Sequence, residues 1–230
     1  MVDAHELHVE SFHGYGANFI KEAGFSPDAY VQMAIQVASY RLFGKQVGTY
    51  ESAQVRPFLH GRTETARSVS KESHALVQAM GWRPDWGQKD GSFRETKRHL
   101  LQEATKSHVR YIRKALQGQG VDRHFFGLSM MVEEGETAPA LLSNPLFARS
   151  KQWRLSTSTL PGTTPGFGPV VPDGIGIGYD IQPHHCIFTV TGRKEHGWTD
   201  RLCQLLEEAL LELQFIADGN GNAMNVKSKL

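Results

Sequence analysis

Hydrophobic residues recur at helical spacing in four parts of the chain. The clearest case follows Ser26, an N-cap hydroxyl that stands before a proline at the first helical position, Pro27, and an acid in the first turn, Asp28. The apolar residues that follow keep the period of a helix up to Gly44, which predicts an amphipathic helix packed on the core. The same reasoning predicts three further helices, at 71–80, 92–118 and 200–216.

Two of these helices have recognisable ends. Ser70 is the predicted N-cap of the second helix, and Gly81 is predicted to stop it. Ser92 and Glu95 form a capping-box pair at the start of the third helix, which Gly118 ends. We interpret the basic side chains of this third helix as a solvated surface rather than a nucleic-acid site; they are Lys97, Arg98, Lys106, Arg110, Arg113 and Lys114.

From about residue 152 the pattern changes to short runs of β-prone residues. Asp173-Gly174 is typical of a hairpin turn. The glycines at 174, 176 and 178 predict a strand against which another backbone packs closely, because no helix opens within this run as a dinucleotide-binding loop requires. Long helices followed by a β-rich segment and a closing helix predict an α/β fold, a sheet with helices packed against it. The predicted strands are 153–157, 169–171, 175–179 and 186–190.

Composition narrows the function classes. Of the 230 residues, 25 are Lys or Arg and 24 are Asp or Glu, so the formal net charge is +1. A balanced charge gives no global attraction to nucleic acid or to an anionic membrane, and no apolar run is long enough for a membrane span. We therefore expect a small or amphoteric ligand.

The chain contains 11 histidines, and we predict no metal site among them from their spacing. Neither His5-x-x-His8 nor His184-His185-Cys186 has the paired spacing of a structural zinc site, and neighbouring residues of a strand point to opposite faces. His108 lies on the apolar stripe of the long helix. We predict that it is a core histidine rather than a catalyst.

Four sequence blocks stand in one order along the chain. They are 49–68, which contains TYES and GRTET; 121–124, which contains DRH; 155–159, LSTST; and 167–174, FGPVVPDG. Alone, the first block reads only as a polar loop. Together the blocks resemble the signature of the choline/carnitine acyltransferase family, and the resemblance extends from about residue 10 to 216.

This resemblance implies the fold and the substrates. In that family two domains, each related to the chloramphenicol acetyltransferase fold, face one another, and coenzyme A and the acyl acceptor enter the tunnel between them from opposite sides. The chain matches the second domain only, over 1–216, a mixed β-sheet flanked by helices. A separate N-terminal acyltransferase domain is then an expected partner, with carnitine and acyl-CoA as substrates, coenzyme A as the co-substrate and no permanently bound cofactor.

The resemblance also implies which residues bind carnitine. Tyr50, Thr63 and Arg123 would hold its carboxylate, with Ser52 nearby. A guanidinium offers a forked pair of donors that fits a carboxylate, and neutral hydroxyls complete the shell without adding charge. Choline has no carboxylate, so the presence of both Thr63 and Arg123 favours carnitine. The alternative for Arg123 is a salt bridge to Asp122 or another acid.

Ser156 and Ser158 would be the paired catalytic serines of the family, the second donating a hydrogen bond to the oxyanion of the transition state. The alternative is a Ser/Thr-rich strand edge. Lys21 and Asp28 match family positions that contact coenzyme A. Phe167 mildly favours short acyl groups.

Two functions remain open at this point. The family's general base is a histidine of the first domain, and none of the histidines here stands in its motif. The chain is therefore expected to be either one half of a carnitine acyltransferase, or a catalytically inactive domain that binds carnitine, coenzyme A or a partner.

The C-terminal residues predict a cellular location. Ser228-Lys229-Leu230 matches the peroxisomal address and follows a polar tail, 217–227, that would leave it accessible to the import receptor. We expect a peroxisomal protein.

Overall fold

The computed structural model describes residues 2–84, 91–162 and 166–218. A single turn of 3-10 helix, Val2–Ala4, comes first. The strands are β1 (His5–Phe12), β2 (Thr49–Gln54), β3 (Thr63–Arg67), β4 (Leu155–Thr159), β5 (Ile175–Ile181) and β6 (Cys186–Arg193). The helices are α1 (Ala17–Glu22), α2 (Pro27–Phe43), α3 (Lys71–Met80), α4 (Gly91–Leu116), α5 (Asp122–Met130), α6 (Pro145–Ser150) and α7 (Trp198–Ala217).

The six strands form one mixed sheet in the order β1-β6-β5-β4-β2-β3. The two central pairings, β2 with β4 and β4 with β5, are parallel. The outer pairings are antiparallel: β1 with β6, β6 with β5, and β2 with β3. Strands distant in sequence, β2 and β4, therefore lie side by side at the centre of the sheet.

One face of the sheet is covered by helices, and the core lies between them. Helix α2 is buried along most of its length, from Ala29 to Arg41. Because side chains alternate along a strand, Ile175, Ile177 and Tyr179 of β5 point into this core, while the glycines between them face the other way. The opposite face of the sheet carries no helix along β4 and β5 within the described residues, and we call it the open face.

The structure confirms the predicted α/β class and all four predicted helices, with small shifts at their ends. Gly44 ends α2 in the left-handed region at φ 71°, and Ser70 caps α3 through a hydrogen bond from the Ser73 backbone N–H. The predicted start of the third helix is wrong. Helix α4 includes Gly91, so Ser92 lies inside its first turn rather than before it.

Two strand-level predictions are also wrong. Residues 169–171 form no strand, and the chain just before them, at Phe167 and Gly168, packs across β5 instead of pairing in the ladder. Asp173-Gly174 makes no hairpin, since β4 and β5 on either side of it are parallel; the hairpin joins β5 to β6. The close backbone approach predicted at the glycines is confirmed at Gly176, where a Cβ would meet Phe167 O at 2.2 Å.

Several elements were not predicted from the sequence. The most important is the hairpin of β2 and β3, because the sequence pattern there indicated only a polar loop. Both strands bury a carboxylate, Glu51 and Glu64, at positions where a sheet usually places an apolar side chain. A glutamate at such a position breaks the alternation of apolar and polar residues by which strands are recognised in a sequence. The other unpredicted elements are β1, α1, α5 and α6.

Helix α7 ends at Ala217, and the predicted tail with Ser228-Lys229-Leu230 lies outside the described residues except at its start. Within residues 2–84, 91–162 and 166–218, no helix is both long and apolar enough to cross a membrane.

A buried ion cluster joins the helices on the covered face. Glu212 of α7 accepts from Arg41 Nη2 of α2 at 2.5 Å and from Lys97 Nζ of α4 at 3.0 Å. Arg41 also donates to the carbonyl oxygens of Met80 and Gly81 at the end of α3. One carboxylate thus compensates two buried cations, and the cluster as a whole links α2, α3, α4 and α7.

Replacing Glu212 with alanine should leave both cations buried without a counter-charge. Breaking a buried pair in this way typically costs about 3–5 kcal/mol, so the free energy of unfolding should fall by about that amount. Chemical denaturation measures the change. The control is Glu208→Ala on the less buried side of the same helix, which should shift stability by no more than about 0.5 kcal/mol. Equal effects of the two substitutions would contradict the role of the cluster.

Candidate functional site

Hydroxyl side chains gather on the open face where β2 and β4 pair. Along β2, Thr49, Glu51 and Ala53 point into the helical layer, so Tyr50 and Ser52 point to the open face and stay half-buried. On β4, Thr157 faces the helices, so Ser156 and Ser158 share the open face with Tyr50 and Ser52. Four of the predicted site residues therefore stand on one surface; they are Tyr50, Ser52, Ser156 and Ser158.

Ser52 and Ser158 contact each other directly. Their Oγ atoms are 3.0 Å apart, and either hydroxyl is able to donate. The parallel register aligns Tyr50 with Ser156 and Glu51 with Thr157, which places Ser52 beside Ser158 at the next position of the ladder. The sequence alone did not reveal this contact, because 105 residues of chain separate the two serines.

Thr63 and Arg123 are joined through the start of β3. Arg123 Nε donates to Thr63 O at 2.9 Å, and the Arg123 backbone N–H donates to the buried carboxylate of Glu64 at 3.2 Å. Ser52 pairs with Thr65 in the hairpin, so Thr63 is a diagonal neighbour of Ser52 at about 7–8 Å. Arg123 is exposed, and its two Nη atoms have no hydrogen-bond partner among the residues that the structure describes.

The salt bridge between Arg123 and Asp122 that the sequence left open is not formed. Asp122 instead accepts a forked pair of hydrogen bonds from Arg67, at 2.9 Å from Nε and 2.6 Å from Nη2. The same Arg67 guanidinium stacks over Trp153, which also packs edge-on against Tyr50. Arg67 thus holds the start of α5 against the sheet, and Arg123 keeps its terminal nitrogens free.

Tyr50 lies at the far end of the hairpin from Thr63. It pairs with Arg67, whereas Thr63 pairs with Gln54, four residues further along β2 and about 13 Å away at 3.3 Å per residue. Ser52 lies between them on the same face. The predicted carnitine residues therefore form a row centred on Ser52 rather than a single tight ring.

Behind this row, on the covered face, Glu51 pairs with His108 of α4. Glu51 Oε2 and His108 Nε2 are 2.6 Å apart and both side chains are buried. Burial raises the pKa of Glu51 to about 7, against the hydrogen bond from His108. Burial acts to lower the pKa of His108, but the hydrogen bond and charge of Glu51 outweigh it and the pKa rises. The predicted core position of His108 is confirmed, although its Nδ1 has no partner within the described part of the chain.

Asp28, at the start of α2, also lies near the Glu51–His108 pair. Its Oδ1 accepts from Tyr179 OH at 2.7 Å and from Thr159 Oγ1 at 2.9 Å, which ties the start of α2 to β5 and β4. Asp28, Glu51 and His108 come close enough to be considered as metal ligands. Hydrogen bonds within the protein already engage all three, so the arrangement reads as a proton-sharing network.

A basic groove opens beside the N-terminus of α2. It has a volume of about 500 Å³ and is lined by the turn before α2 and by one side of α4, namely Gly24, Phe25, Ser26, Thr105, Lys106, Val109, Arg110 and Arg113. The sequence had suggested that these basic residues merely face solvent. Lys21 is exposed on the last turn of α1, next in the chain to this groove.

Sequence reasoning missed the Glu51–His108 pair, although one signal for it was available. If Tyr50 and Ser52 bind a ligand from one face of a strand, the residue between them must face the core. A buried carboxylate needs a partner, and His108 was already placed on a core stripe. What the sequence did not supply was the position of α4 behind β2.

The Glu51–His108 pair should make stability fall as pH rises. Both groups have a raised folded pKa, so the native state keeps protons that the unfolded chain loses from about pH 4.5 for Glu51 and 6.5 for His108. Stability should decline between about pH 4.5 and 7 through Glu51 and above about pH 6.5 through His108, by at most about 1.4 kcal/mol per pH unit for each retained proton. Urea unfolding of wild type and Glu51→Gln at several pH values measures it.

In Glu51→Gln this decline should flatten, because one titrating group is gone and His108 has lost the charge that raised its pKa. The matched control is Glu103→Gln, an exposed acid on α4, which should keep the wild-type slope. A slope unchanged by Glu51→Gln would contradict the assignment.

The comparisons with known proteins agree over nearly the whole chain. The family model described as choline/carnitine o-acyltransferase matches residues 1–208. A carnitine O-acetyltransferase of Columba livia is 39% identical over 220 residues, which are 93% of this chain and 34% of that protein. A choline O-acetyltransferase of Danio rerio is 39% identical over 215 residues, 91% of this chain and 33% of its own length. The chain thus spans about a third of these relatives.

Solved structures agree on the fold. A trichothecene 15-O-acetyltransferase from Fusarium sporotrichioides aligns with a TM-score of 0.54 at 10% identity, covering 91% of this chain and 47% of that one. The predicted chloramphenicol acetyltransferase-like fold, a mixed sheet flanked by helices, is confirmed. By the extent of the family match and the identity to its members, the chain belongs to the choline/carnitine acyltransferase family.

Proposed function

We propose that this chain supplies the carnitine-binding and oxyanion-stabilising part of an enzyme that transfers short acyl groups between coenzyme A and carnitine. The observation that carries the proposal is the Ser52–Ser158 hydrogen bond, flanked on the open face by Tyr50 and by Thr63 with Arg123. Membership of the family supports acyl transfer in general. The choice of carnitine rests on this row of side chains.

Carnitine differs from choline by a carboxylate, and Arg123 is prepared to bind one. Its Nε is occupied by Thr63 O, which fixes the direction of the guanidinium and leaves both terminal nitrogens for a ligand. Such an end-on fork fits the two oxygens of a carboxylate. The Thr63 and Tyr50 hydroxyls would complete the shell, one from each end of the row.

The serine pair would stabilise the transition state. When the acceptor oxygen attacks the acyl carbon, negative charge develops on the former carbonyl oxygen, and a preorganised donor aimed at that oxygen lowers the barrier. If Ser52 donates to Ser158, the Ser158 proton is directed away from Ser52 and towards the open face. Ser52 then orients the donor hydroxyl of Ser158. Ser156 lies two residues earlier on β4, on the same face of the sheet.

Coenzyme A would place its phosphates at the basic groove. Arg110 and Arg113 offer two cations, Lys106 offers a third that also pairs with Glu103, and α2 adds the positive end of a 17-residue helix. Ser26 caps this helix without a side-chain hydrogen bond, so its hydroxyl is available to a ligand. Lys21 would act from the neighbouring turn, and Asp28 through its contacts with Thr159 and Tyr179.

The general base is proposed to come from the other acyltransferase domain of the family, which would pack on the open face. His108 is not a substitute, because it points to the covered face and is held by Glu51. Because this chain offers no histidine in that role, a second candidate function is a domain that binds carnitine or coenzyme A without catalysing a reaction.

Substitutions at the row test the proposal through release of the coenzyme A thiol from acetyl-CoA, with carnitine or choline as acceptor. The chain is assayed alone and with the N-terminal part of the pigeon relative added. Ser158→Ala should lower kcat by about a hundredfold or more. Arg123→Ala should raise KM for carnitine and leave any turnover of choline unchanged, while Ser129→Ala, a half-buried serine near the end of α5, serves as the control.

Calorimetric titration separates the two candidate functions. Carnitine that binds wild type but not Arg123→Ala, without turnover in either assay, would support the inactive binding domain. Turnover that survives Ser158→Ala would overturn the oxyanion assignment, and equal KM values for carnitine in wild type and Arg123→Ala would overturn the carboxylate assignment.

We further propose that the protein resides in peroxisomes, on the basis of its last three residues. Deleting Ser228 to Leu230 should move a fluorescently tagged chain, with the tag at its N-terminus, from puncta that carry a peroxisomal marker to the cytosol. Deleting Asn222 to Met224 removes the same number of residues and keeps the terminus, so its puncta should persist. Puncta unaffected by the first deletion would refute the location.

A further inference from the structure

Three potential metal ligands meet where the first strand packs on the last helix, and an acid of that helix lies beside them. His8 and Glu10 are two positions apart on β1, so both side chains point to the covered face, towards α7. Cys203 of α7 faces them, and one ligand atom from each of these three residues lies within 4.8 Å of the others. Asp200, one turn earlier on α7, brings its Oδ1 to 3.7 Å from His8 Nδ1.

The central ligand of this group is buried and has no partner. Cys203 is 1% exposed, and within residues 2–84, 91–162 and 166–218 its thiol makes no hydrogen bond. The Glu10 carboxylate likewise has no hydrogen-bond partner in this part of the chain, and Glu207 and Asp200 add negative charge beside it. The contrast with Asp28, Glu51 and His108 is sharp, because those three groups bond to one another and to neighbouring hydroxyls.

The geometry points to a Zn²⁺ site formed by His8, Glu10 and Cys203, with the fourth position open to solvent on the side of Asp200. Imidazole, thiolate and carboxylate are the ligands that Zn²⁺ takes, usually four of them in a tetrahedron. At Zn–N and Zn–O distances of about 2.0–2.2 Å and Zn–S of about 2.3 Å, ligand atoms lie roughly 3.3–3.8 Å apart. Small rotations of the half-exposed His8 and Glu10 side chains close the remaining gap.

The tertiary structure creates this site, which is why spacing along the chain did not show it. His5-x-x-His8 remains unsuited to a metal, whereas His8 pairs with Glu10 on one strand face and with Asp200-x-x-Cys203 on one helix face. Access from solvent is open, since the Asp200 side chain is 68% exposed and that of His8 38%. Bound metal would tie the edge strand β1 to α7 and offset the excess of carboxylates.

Binding requires one proton transfer at the cysteine. Burial, with the charges of Glu10 and Asp200, raises the pKa of the Cys203 thiol to about 12, so the thiol is neutral before metal binds. Zn²⁺ displaces that proton to solvent and forms the Zn–S bond, and His8 and Glu10 bind through their lone pairs. No oxidation or reduction occurs.

The test uses Co²⁺ and Zn²⁺ with the full chain. Co²⁺ bound to a thiolate gives a near-ultraviolet charge-transfer band that carboxylates and imidazoles alone do not give. We expect this band at one equivalent, its displacement by Zn²⁺, and its loss in Cys203→Ser. Cys186→Ser is the matched control, since Cys186 is the other buried cysteine and its thiol donates to Tyr15 O rather than facing His8 and Glu10, and it should keep the band.

Two further variants keep the test decisive if Cys203→Ser folds poorly. Glu10→Gln changes a half-exposed side chain and should weaken Zn²⁺ binding by at least about tenfold, measured by competition with a chromophoric chelator. His13→Ala with His185→Ala removes a surface histidine pair and should leave the affinity unchanged. A band that survives Cys203→Ser, no band at all, or binding abolished only by the surface double variant would overturn the site.

Discussion

The arrangement of the candidate site depends on polar contacts made on the other side of the sheet. Glu51 and Thr157 are aligned with each other where β2 and β4 pair, and each is held from behind, Glu51 by His108 and Thr157 by Gln32 of α2. Because side chains alternate strictly along a strand, fixing these two residues inward fixes Ser52 and Ser158 outward. A slip of one residue in either strand would bury the serines.

The helical layer is rigid enough to serve as this support. Gln32 Nε2 donates at 2.9 Å both to Thr157 Oγ1 and to Tyr179 OH, which connects α2 to two strands at once. On the far side of the layer, Glu212 gathers cations from α2 and α4. A site that stabilises charge in a transition state needs donors that do not reorganise, and a frame bonded on both sides of α2 restricts such movement.

The two faces of the sheet consequently carry different chemistry. The covered face holds buried polar side chains that bond to one another, such as Glu51 with His108 and Gln32 with Thr157, and the candidate metal ligands lie at its edge, between β1 and α7. The open face carries hydroxyls and a guanidinium whose remaining hydrogen-bonding capacity is unused within the described residues. In a family whose members are about three times as long as this chain, that face is where we propose the substrates and the second domain meet it.

The sequence by itself determined four of the helices, α2, α3, α4 and α7, together with the α/β class and the family, because helical periodicity, capping residues and contiguous motifs are local properties of the chain. It also singled out Ser52, Ser158, Thr63 and Arg123 as residue types, but not as neighbours. Only the tertiary structure decided that Ser52 hydrogen-bonds to Ser158 and that Asp122 forms its salt bridge with Arg67. It also decided that Glu51, which the sequence indicated as part of a loop, is a buried strand residue paired with His108. The reason is physical: pairing between strands about a hundred residues apart, and the burial of a carboxylate against a partner on another helix, are set by packing, which no local pattern of residues encodes.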